Sequence, residues 1–575
     1  MPALGAVATA HRRDTGVFDL GDLADEPRLP DARSTRAFLG WGLAAYGLVL
    51  AVVLLMSLRT TDGRMIYVLD DPAIHLSMAD TLAHHGTWGV VPDHFESASS
   101  APLWTVLLAA WVRLVPGPSS VAPLILNIAA SVAIIALLGA NQKVLFPGRR
   151  RPLDALVVML LVVVVLFLPG LTMVGMEHTF HAALVLGALV LIQRQAEGRV
   201  DRGPRWLPYV LLAVAALTRF ETAFIATGLA MALIVVHRNR RGAAIALAAA
   251  GLPILAFAIV NRAMGQGLVP NSVLAKTSVG EDPGSGLFED VTGRLTRDPL
   301  VAVILATLLV ALMVAWQRGR DALPGWTLPA IVFVVAAPLH VILARVGWYE
   351  RYQAYLIVVG IYAVLGLLAD VLPRRLDARP TGRGTQLGAG LLAVLLMFTW
   401  TKFDLTRQTP DAVEETYQQR YQAGVFLDRY YDGQPVATGE LGYVSLLHHG
   451  PITDLFGLGD YEVLQQRRGA GQKVPPKYWS DLAERRGFDV VAAYPTTLFF
   501  RTPKDWILVG SWTIDSDVVT AWEPQFMFWA TSPDAVPELK ANLQDFEDEL
   551  PDGVKLKINE YAELQAADVA DDAPD

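Results

Sequence analysis

Cysteine is absent from the 575-residue chain, and charged residues are scarce at 18%, against roughly 25% in an average soluble protein. The absence of cysteine excludes disulfides, thiolate metal sites and a cysteine nucleophile, although it identifies no compartment. Hydrophobic residues reach 53% of the chain. They recur in long runs between Ala37 and Lys402, each able to cross about 30 Å of hydrocarbon. The chain is therefore predicted to be an α-helical polytopic membrane protein with the lipid bilayer as a partner.

The apolar runs predict about eleven spans. They lie at residues 37–57, 120–141, 153–169, 178–194, 206–218, 221–237, 242–262, 299–316, 326–344, 353–372 and 385–401. With residues 1–36 as a cytoplasmic tail, the strongly basic loops, such as "PGRRRP" (147–152) and "HRNRRG" (237–242), fall on one face. This agreement with the positive-inside rule predicts a multi-pass membrane protein whose basic loops are cytoplasmic.

The apolar segment 101–115, "APLWTVLLAAWVRLV", decides that topology. Counted as a span, it would export the basic loop at 147–152, so it is predicted to be an interfacial or re-entrant helix. Residues 58–119 then form one large external loop. Short apolar stretches such as "FDVVAAYP" predict a second, extracytoplasmic α/β domain over residues 403–545. The remainder, 546–575, is predicted to be a disordered acidic tail.

Polar residues that hydropathy does not explain collect on the predicted outer face. The first are the adjacent acids Asp70 and Asp71, which follow the first apolar run and precede an amphipathic stretch. Others lie in "GMEHTFH" (175–181), "LTRFET" (217–222), "VPNSVLAK" (269–276) and "RVGWYERYQ" (345–353). Charges at a membrane boundary are costly and usually belong to a site or a pathway. Arginines, acids and aromatics beside lipid suit a lipid-phosphate substrate.

Each motif also has a structural interpretation. Asp71 can cap a helix ahead of Pro72, and Arg219 with Glu221 can form a structural ion pair. "GWYERY" can be an interfacial aromatic belt, and "VPNS" can be a loop turn. The histidines show no convincing metal-ligand spacing, and no segment indicates nucleic-acid binding.

Taken in order, these motifs resemble those of the GT-C-fold glycosyltransferases, nearest to the mycobacterial terminal arabinofuranosyltransferase family. The chain has "LDDPAIHL…SASSAPLW" where that family has D-D-A-Y-I and a TSPLW-like segment. It has "GMEH" for G-M-E-T, "LTRFE" for L-T-R-P-E, and "PNSVLAK" for P-N-[ST]-x-x-A-K. It has "RYQAY" for R-Y-x-x-P, and "TGELGYVSLLHHGPITDLFGLGD" (438–460) for the segment after the last span. The chain departs from the pattern at Ala73, His178, Phe220 and Glu440.

This resemblance, which covers roughly residues 37–460, implies sugar transfer from a polyprenyl-phosphate donor to a glycan acceptor on the outer face of the bacterial plasma membrane. Asp70 is expected to act as the base, oriented by Asp71, with inversion at the anomeric carbon. The expected donor-binding residues are Glu177, His178, Arg219, Glu221, Asn271, Lys276, Arg345, Arg351 and Tyr352. The expected acceptor-binding residues are His75, Glu96, Trp104, Trp348 and Tyr349. A divalent cation is compatible with paired acids but is not required.

Three other interpretations stay open. The donor can carry mannose rather than arabinofuranose. A lipid-linked-sugar transporter would also combine many spans with buried charges, although transporters more often break helices near the midplane and show repeats. A scaffold with a degenerate transferase fold is the third.

Overall fold

The computed structural model describes residues 32–92, 94–141, 162–198, 203–278, 287–317, 319, 323–371, 397–471, 473–498 and 501–571. The first part of the chain is helical. Its helices are α1 (Ala32–Thr60), α2 (Asp71–His85), α3 (Pro102–Leu114), α4 (Ala122–Asn141), α5 (Leu168–Val174), α6 (His178–Ala196), α7 (Leu207–Thr218), α8 (Thr222–Val235), α9 (Arg240–Ala263), α10 (Asn271–Ser278), α11 (Leu287–Arg297), α12 (Pro299–Trp316), α13 (Thr327–Leu343) and α14 (Ala354–Val371).

Five of these helices are long and apolar enough to cross a membrane. They coincide with α1, α4, α6, α9 and α12 and cover Leu39–Thr60, Ser119–Gly139, His178–Ala196, Arg240–Ala263 and Pro299–Trp316. The described part of the chain is thus that of a multi-pass membrane protein, but it does not confirm eleven spans. The predicted spans at 206–218, 221–237, 326–344 and 353–372 are shorter apolar helices. Most of the predicted span at 385–401, and the first half of the one at 153–169, lie outside the described residues.

Helices α2 and α3 form a pair in the loop that follows α1. Buried side chains of both helices pack together, among them Leu76, Ala79, Trp104 and Leu108. Helix α3 has 13 residues and is about 20 Å long at 1.5 Å per residue, which is too short to cross the bilayer. It leaves Val106 and Leu114 exposed, as an interfacial helix would. Its contact with lipid stays a prediction.

The C-terminal part of the chain forms a separate α/β domain around a six-stranded sheet. Its helices are α15 (Thr409–Glu415), a π-helix (Thr416–Tyr421), α16 (Gln422–Tyr431), α17 (Leu441–Leu447), α18 (Tyr461–Gly469), α19 (Pro476–Arg486), α20 (Val536–Asp545) and α21 (Ala562–Asp571). Its strands are β1 (Val436–Thr438), β2 (Ile452–Asp454), β3 (Val490–Ala493), β4 (Ile507–Ile514), β5 (Gln525–Ala530) and β6 (Val554–Ile558). A C-terminal sheet domain was expected from the sequence, and the structure confirms it.

The sheet is mixed, in the order β2-β1-β3-β5-β4-β6. Strands β2, β1 and β3 are parallel, whereas β5, β4 and β6 are antiparallel. The loops after β1 and β2 therefore leave from the same edge of the sheet. Those two loops carry Gly439, Glu440 and Phe456, three of the residues that line the cavity described below.

The prediction of a disordered acidic tail is wrong for residues 554–571. Strand β6 pairs with β4 from Gly510↔Ile558 to Ile514↔Val554, and Ala562 and Ala566 of α21 are buried in the main core of the domain. The prediction relied on the negative charge of this segment and overlooked the alternating sequence "VKLKI", which is typical of a half-buried strand.

We expect truncation after Asp545 to destabilise the protein, because it exposes the edge of β4 and uncovers the core under α21. The melting temperature in detergent should fall by roughly 10 °C or more, measured by thermal-shift size-exclusion chromatography. Truncation after Asp571 is the matched control. Equal melting temperatures for the two truncated proteins would contradict the assigned role of β6 and α21.

Candidate functional site

One cavity joins the helical domain to the C-terminal domain. Its volume is about 670 Å³, open solvent at its mouth included. The helical domain lines it with Leu69, Asp70, Asp71, Ile74, Arg345, Trp348, Arg351 and Tyr352, and the C-terminal domain with Arg420, Gly439, Glu440, Leu441, Phe456, Leu458 and Trp522. Six of the residues predicted from the sequence therefore meet here. The C-terminal domain supplies nearly half of the lining residues, so the cavity exists only where the two domains touch.

Asp70 holds the two domains together at this cavity. Its Oδ1 accepts the N–H of Tyr443 at 3.0 Å, and its Oδ2 accepts the N–H of Gly442. These groups lie in the first turn of α17, where N–H groups have no partner within the helix. Asp70 precedes α2 but makes no capping hydrogen bond to its own helix. Burial raises the pKa of Asp70, and both of its oxygens already accept a backbone N–H group.

The contact between Asp70 and α17 requires a glycine. A Cβ atom on Gly442 would lie 2.2 Å from the backbone oxygen of Asp70 and 2.5 Å from its Cγ. Both distances are far below van der Waals contact, so the close approach of the two segments depends on the missing side chain.

Asp71 is the more accessible member of the acid pair. Its side chain is 19% exposed, and its Oδ2 accepts Nη1–H of Arg351 at 3.0 Å. Arg351 is 1% exposed and donates from Nη2 to the hydroxyl of Tyr352 at 3.0 Å. The buried guanidinium thus orients Asp71 and Tyr352, which both line the cavity.

A second, deeper layer contains four of the predicted donor residues. Arg219 donates from Nη1 to Glu177 at 2.6 Å and makes a two-point contact with Glu221. The same Nη1 lies 2.9 Å from Nε2 of His178. Every terminal nitrogen of Arg219 therefore has a protein partner. This cluster is buried at the ends of α6, α7 and α8.

Tyr352 links the two layers. The guanidinium carbon of Arg351 lies 4.9 Å from its ring centroid, and that of Arg219 lies 5.8 Å from it. The ring of His178 meets the same tyrosine edge-on at 5.9 Å. Both arginines thus lie within the range of cation–π attraction of one aromatic ring.

His75 lies on the other side of the deep layer. Its Nε2 is 4.0 Å from Glu177, and its Nδ1 is 3.2 Å from the hydroxyls of Ser99 and Thr105. His75 is thus part of the buried network and does not line the cavity.

Glu440 and Arg420 were not predicted as site residues. Arg420 lies in the π-helix and donates from Nε to Glu440 at 2.8 Å and from Nη2 to the backbone oxygen of Thr520 at 3.1 Å. Burial raises the pKa of Glu440 to about 7, with Asp70 adding to the effect and Arg420 opposing it. Short π-helical segments occur often at functional sites. The sequence marked Glu440 only as a departure from a family motif.

Two tryptophans stand at the cavity, one from each domain. The ring centroids of Trp348 and Trp522 are 5.2 Å apart, with an interplanar angle of 40°. Trp348 was predicted as an acceptor-binding residue. Trp522 was missed, because nothing local to "VVTAWEPQ" distinguishes it from a core tryptophan.

Other predicted residues do not line the cavity. Trp104 is buried between α2 and α3 and lies 6.0 Å from the ring of Phe180. The hydroxyl of Tyr349 donates to Thr409 at 2.9 Å. The backbone N–H of Asn271 donates to Ser97 at 3.0 Å, so that residue supports the loop before α3.

Glu96 does not line the cavity, and Lys276 stays a prediction. Burial and the nearby Asp460 and Asp454 raise the pKa of Glu96 well above its usual range. Lys276 belongs to α10, and its side chain lies outside the described part of the structure.

The cavity carboxylates do not converge on a metal site. In the described part of the chain, Asp428, Asp432 and His449 bring ligand atoms within 4.8 Å of one another, and they lie at the surface. Asp70, Asp71 and Glu440 form no such group, so the described geometry gives no support to a cation held between them.

A family model described as a domain of unknown function, DUF8728, matches residues 411–530. This part runs from α15 to β5 and includes Arg420, Glu440 and Trp522. No curated protein matches the chain. The match covers about a fifth of the chain and assigns it no activity.

Solved structures of the oligosaccharyltransferase AglB from Archaeoglobus fulgidus are similar at low identity. The apo form has 13% identity and a TM-score of 0.44, with 84% of this chain and 76% of that chain covered. The complex with an inhibitory peptide and a dolichol-phosphate has 13% identity and a TM-score of 0.39, with 83% and 74% covered. At these TM-scores the likeness assigns no activity to the chain.

We expect Gly442→Ala to destabilise the protein by about 1–3 kcal/mol through overpacking against Asp70, although alanine is the better helix former. Thermal unfolding in detergent measures the effect. Gly469→Ala is the matched control, because that helical glycine has no neighbour within 4 Å of an added Cβ. Equal stability of the two variants would contradict the requirement for a glycine at the contact between Asp70 and α17.

We expect the protein to lose stability as pH rises from 4.5 to 7. In this window folded Glu440, with a pKa of about 7, keeps a proton that the unfolded chain releases near the ordinary value of 4.5. Asp70 acts in the same direction. Glu440→Gln should flatten this slope, because an amide does not titrate in this window. Its oxygen can still accept the Nε–H of Arg420, so the contact itself is kept. Melting temperatures at pH 5, 6, 7 and 8 test it, with the exposed Glu560→Gln as a control. Parallel slopes in wild type and Glu440→Gln would contradict the assignment.

Proposed function

We propose that the chain is a membrane glycosyltransferase that moves a sugar from a polyprenyl-phosphate donor to a hydroxyl of a cell-envelope glycan. The observation that carries this proposal is the accessible Asp71 carboxylate, oriented by Arg351 inside a cavity that also contains Arg345 and two tryptophans. A base, a cationic surface and aromatic rings are the groups that such a transfer needs.

Asp71 is the better candidate for the base. An acceptor hydroxyl is a weak nucleophile, and a carboxylate within hydrogen-bond reach can take its proton as the bond to the anomeric carbon forms. Both oxygens of Asp70 accept backbone N–H groups of α17, whereas Asp71 is partly exposed. We therefore assign proton abstraction to Asp71 and the positioning of the cavity to Asp70. This exchanges the roles expected from the sequence.

The phosphate of the donor is assigned to the cavity arginines. Departing polyprenyl phosphate needs only its developing charge stabilised, and Arg345 and Arg351 both line the cavity. Arg219 is a weaker candidate, since it does not line the cavity and two carboxylates, Glu177 and Glu221, already neutralise it. We assign Arg219, Glu177, His178 and Glu221 to holding Tyr352 and Arg351 in place. Direct displacement assisted by one base inverts the anomeric carbon.

Two finer points follow from the motif resemblance rather than from the cavity. The sugar is proposed to be D-arabinofuranose, with mannose as the alternative. The cavity and the C-terminal domain are proposed to lie on the extracytoplasmic side, in agreement with the basic loops at the opposite ends of the helices. Against a transporter, the described cavity lies between two domains instead of at the middle of a helix bundle.

We expect Asp71→Asn to lower sugar transfer by 10²- to 10⁴-fold, because it removes the base but keeps the shape. It should also lower the melting temperature, since the amide leaves the buried guanidinium of Arg351 without its charged partner. The assay uses full-length protein in nanodiscs with polyprenyl-phosphate-arabinofuranose or polyprenyl-phosphate-mannose and a short glycan acceptor. Asp80→Asn, at an exposed position of the same helix, is the matched control.

The comparison with Asp70→Asn separates the two acids. An amide can accept only one of the two N–H groups of α17, so this variant should lose stability by about 1–3 kcal/mol. Full activity of Asp71→Asn in folded protein would overturn the assigned base. No transfer by the wild type from either donor would overturn the proposed function and favour a transporter or a scaffold.

A further inference from the structure

One of the two tryptophans at the cavity, Trp348, lies in a turn with an unfavourable backbone conformation. Trp348, Tyr349 and Glu350 have φ values of 48°, 61° and 62°, and Gly347 before them has a φ of 87°. Left-handed backbone costs a non-glycine residue roughly 1–2 kcal/mol. Such conformations persist only where surrounding contacts enforce them, and they cluster at functional sites.

The contacts that enforce this conformation involve the neighbours of Trp348 and not its indole ring. The N–H of Gly347 donates to Gln353 at 3.0 Å, Tyr349 donates to Thr409 at 2.9 Å, and Glu350 pairs with buried Lys402. Trp348 as a residue remains 39% exposed. The turn therefore positions a large aromatic ring without burying it.

Trp522 is held in a similar way from the C-terminal domain. Buried Glu415 accepts the successive backbone N–H groups of Val519, Thr520 and Ala521, the last two at 2.8 and 3.0 Å. The hydroxyl of Thr520 also donates to the backbone oxygen of Val68 at 3.0 Å. Trp522 follows directly and is 40% exposed. Its position is thus fixed by the backbone of the preceding residues.

The surroundings of the pair suit a saccharide better than a lipid chain. A sugar ring has an apolar C–H face and a polar rim of hydroxyls, and the two indoles lie in one cavity with Arg345 and Asp71. The loop before Trp522 contains exposed Asp515 and Asp517, which are unfavourable next to hydrocarbon.

We infer that Trp348 and Trp522 form a saccharide-binding subsite, in which one residue of the acceptor glycan stacks on the indoles while its hydroxyl is presented to Asp71. Trp522 is the new element, and it makes the C-terminal domain a specificity-determining part of the site. This inference rests on the proposed function, since it names the acceptor face of the same cavity. Such a subsite benefits from indole rings that are already held in place before the saccharide binds, because this lowers the entropic cost of association.

The test combines direct binding with kinetics on the full-length protein in nanodiscs. Saturation-transfer NMR measures binding of an arabinofuranose trisaccharide and of a mannose trisaccharide, and initial rates give the KM for acceptor and donor. Trp522→Ala should weaken trisaccharide binding and raise the acceptor KM roughly tenfold, with kcat and the donor KM within about twofold. Trp522→Phe keeps an aromatic face, so its trisaccharide binding and acceptor KM should lie between those of the wild type and of Trp522→Ala. Trp206→Ala, an exposed tryptophan outside the cavity, is the matched control.

The outcomes separate this inference from the proposed function. One possible result is that the wild type binds the saccharide but transfers no sugar, and that Trp522→Ala loses this binding. That result supports the subsite and contradicts the transferase. Sugar transfer with an unchanged acceptor KM in folded Trp522→Ala contradicts the subsite alone. A raised donor KM would assign the indoles to the lipid-linked substrate, and no binding of either trisaccharide to the wild type would also overturn the inference.

Discussion

Two backbone N–H groups of α17 donate to the carboxylate of Asp70, and the arrangement of the cavity depends on this contact. A carboxylate is favourable at a helix N-terminus because the unpaired N–H groups carry a partial positive charge there. The contact brings Glu440, the residue before α17, to the same cavity as Asp71, the residue after Asp70. It therefore divides the acid pair into one carboxylate that joins two domains and one that remains open to a ligand.

The buried charges of Arg219 and Arg351 complement this contact. A buried ion is stable only when its partners replace the lost hydration, and removing a single partner costs several kcal/mol. Arg219 has three such partners, and Arg351 has Asp71 and Tyr352. Because Tyr352 lies against both arginines, the network that stabilises the helix ends also determines where Asp71 points. Stability and the geometry of the cavity are thus properties of the same residues.

The sequence predicts the parts of this structure that depend on local pattern. Long apolar runs predict α1, α4, α6, α9 and α12, and the acid pair was expected beside a helix start because of its place after the first run. Helices α7 and α8 were also predicted as apolar, but the structure shows them at 12 and 14 residues, below the usual spanning length. Run length alone therefore does not distinguish a full crossing from a shorter apolar helix, and the number of crossings stays a prediction.

The remaining site residues depend on contacts that no local pattern contains. Glu440, Arg420 and Trp522 reach the cavity by tertiary folding of a domain far along the chain. The neighbours of Arg420 and Trp522 in sequence give no sign of it, and Glu440 was marked only as a departure from a family motif. Trp104 shows the opposite case, since it belongs to a recognisable motif and yet packs into the core between α2 and α3. Aromatic and acidic residues have both structural and functional uses, and only the three-dimensional contacts distinguish them.

The separation of Asp70 and Gly442 by 372 positions has a consequence for biosynthesis. At roughly 5–20 residues per second, a ribosome needs about 20 to 75 s to travel between them. During that interval Asp70 is already synthesised but its helix partner is not, so its charge must be hydrated or neutralised by other means. The cavity is completed only when the domain that contains α17 docks, and nascent chains that end before this domain lack the cavity.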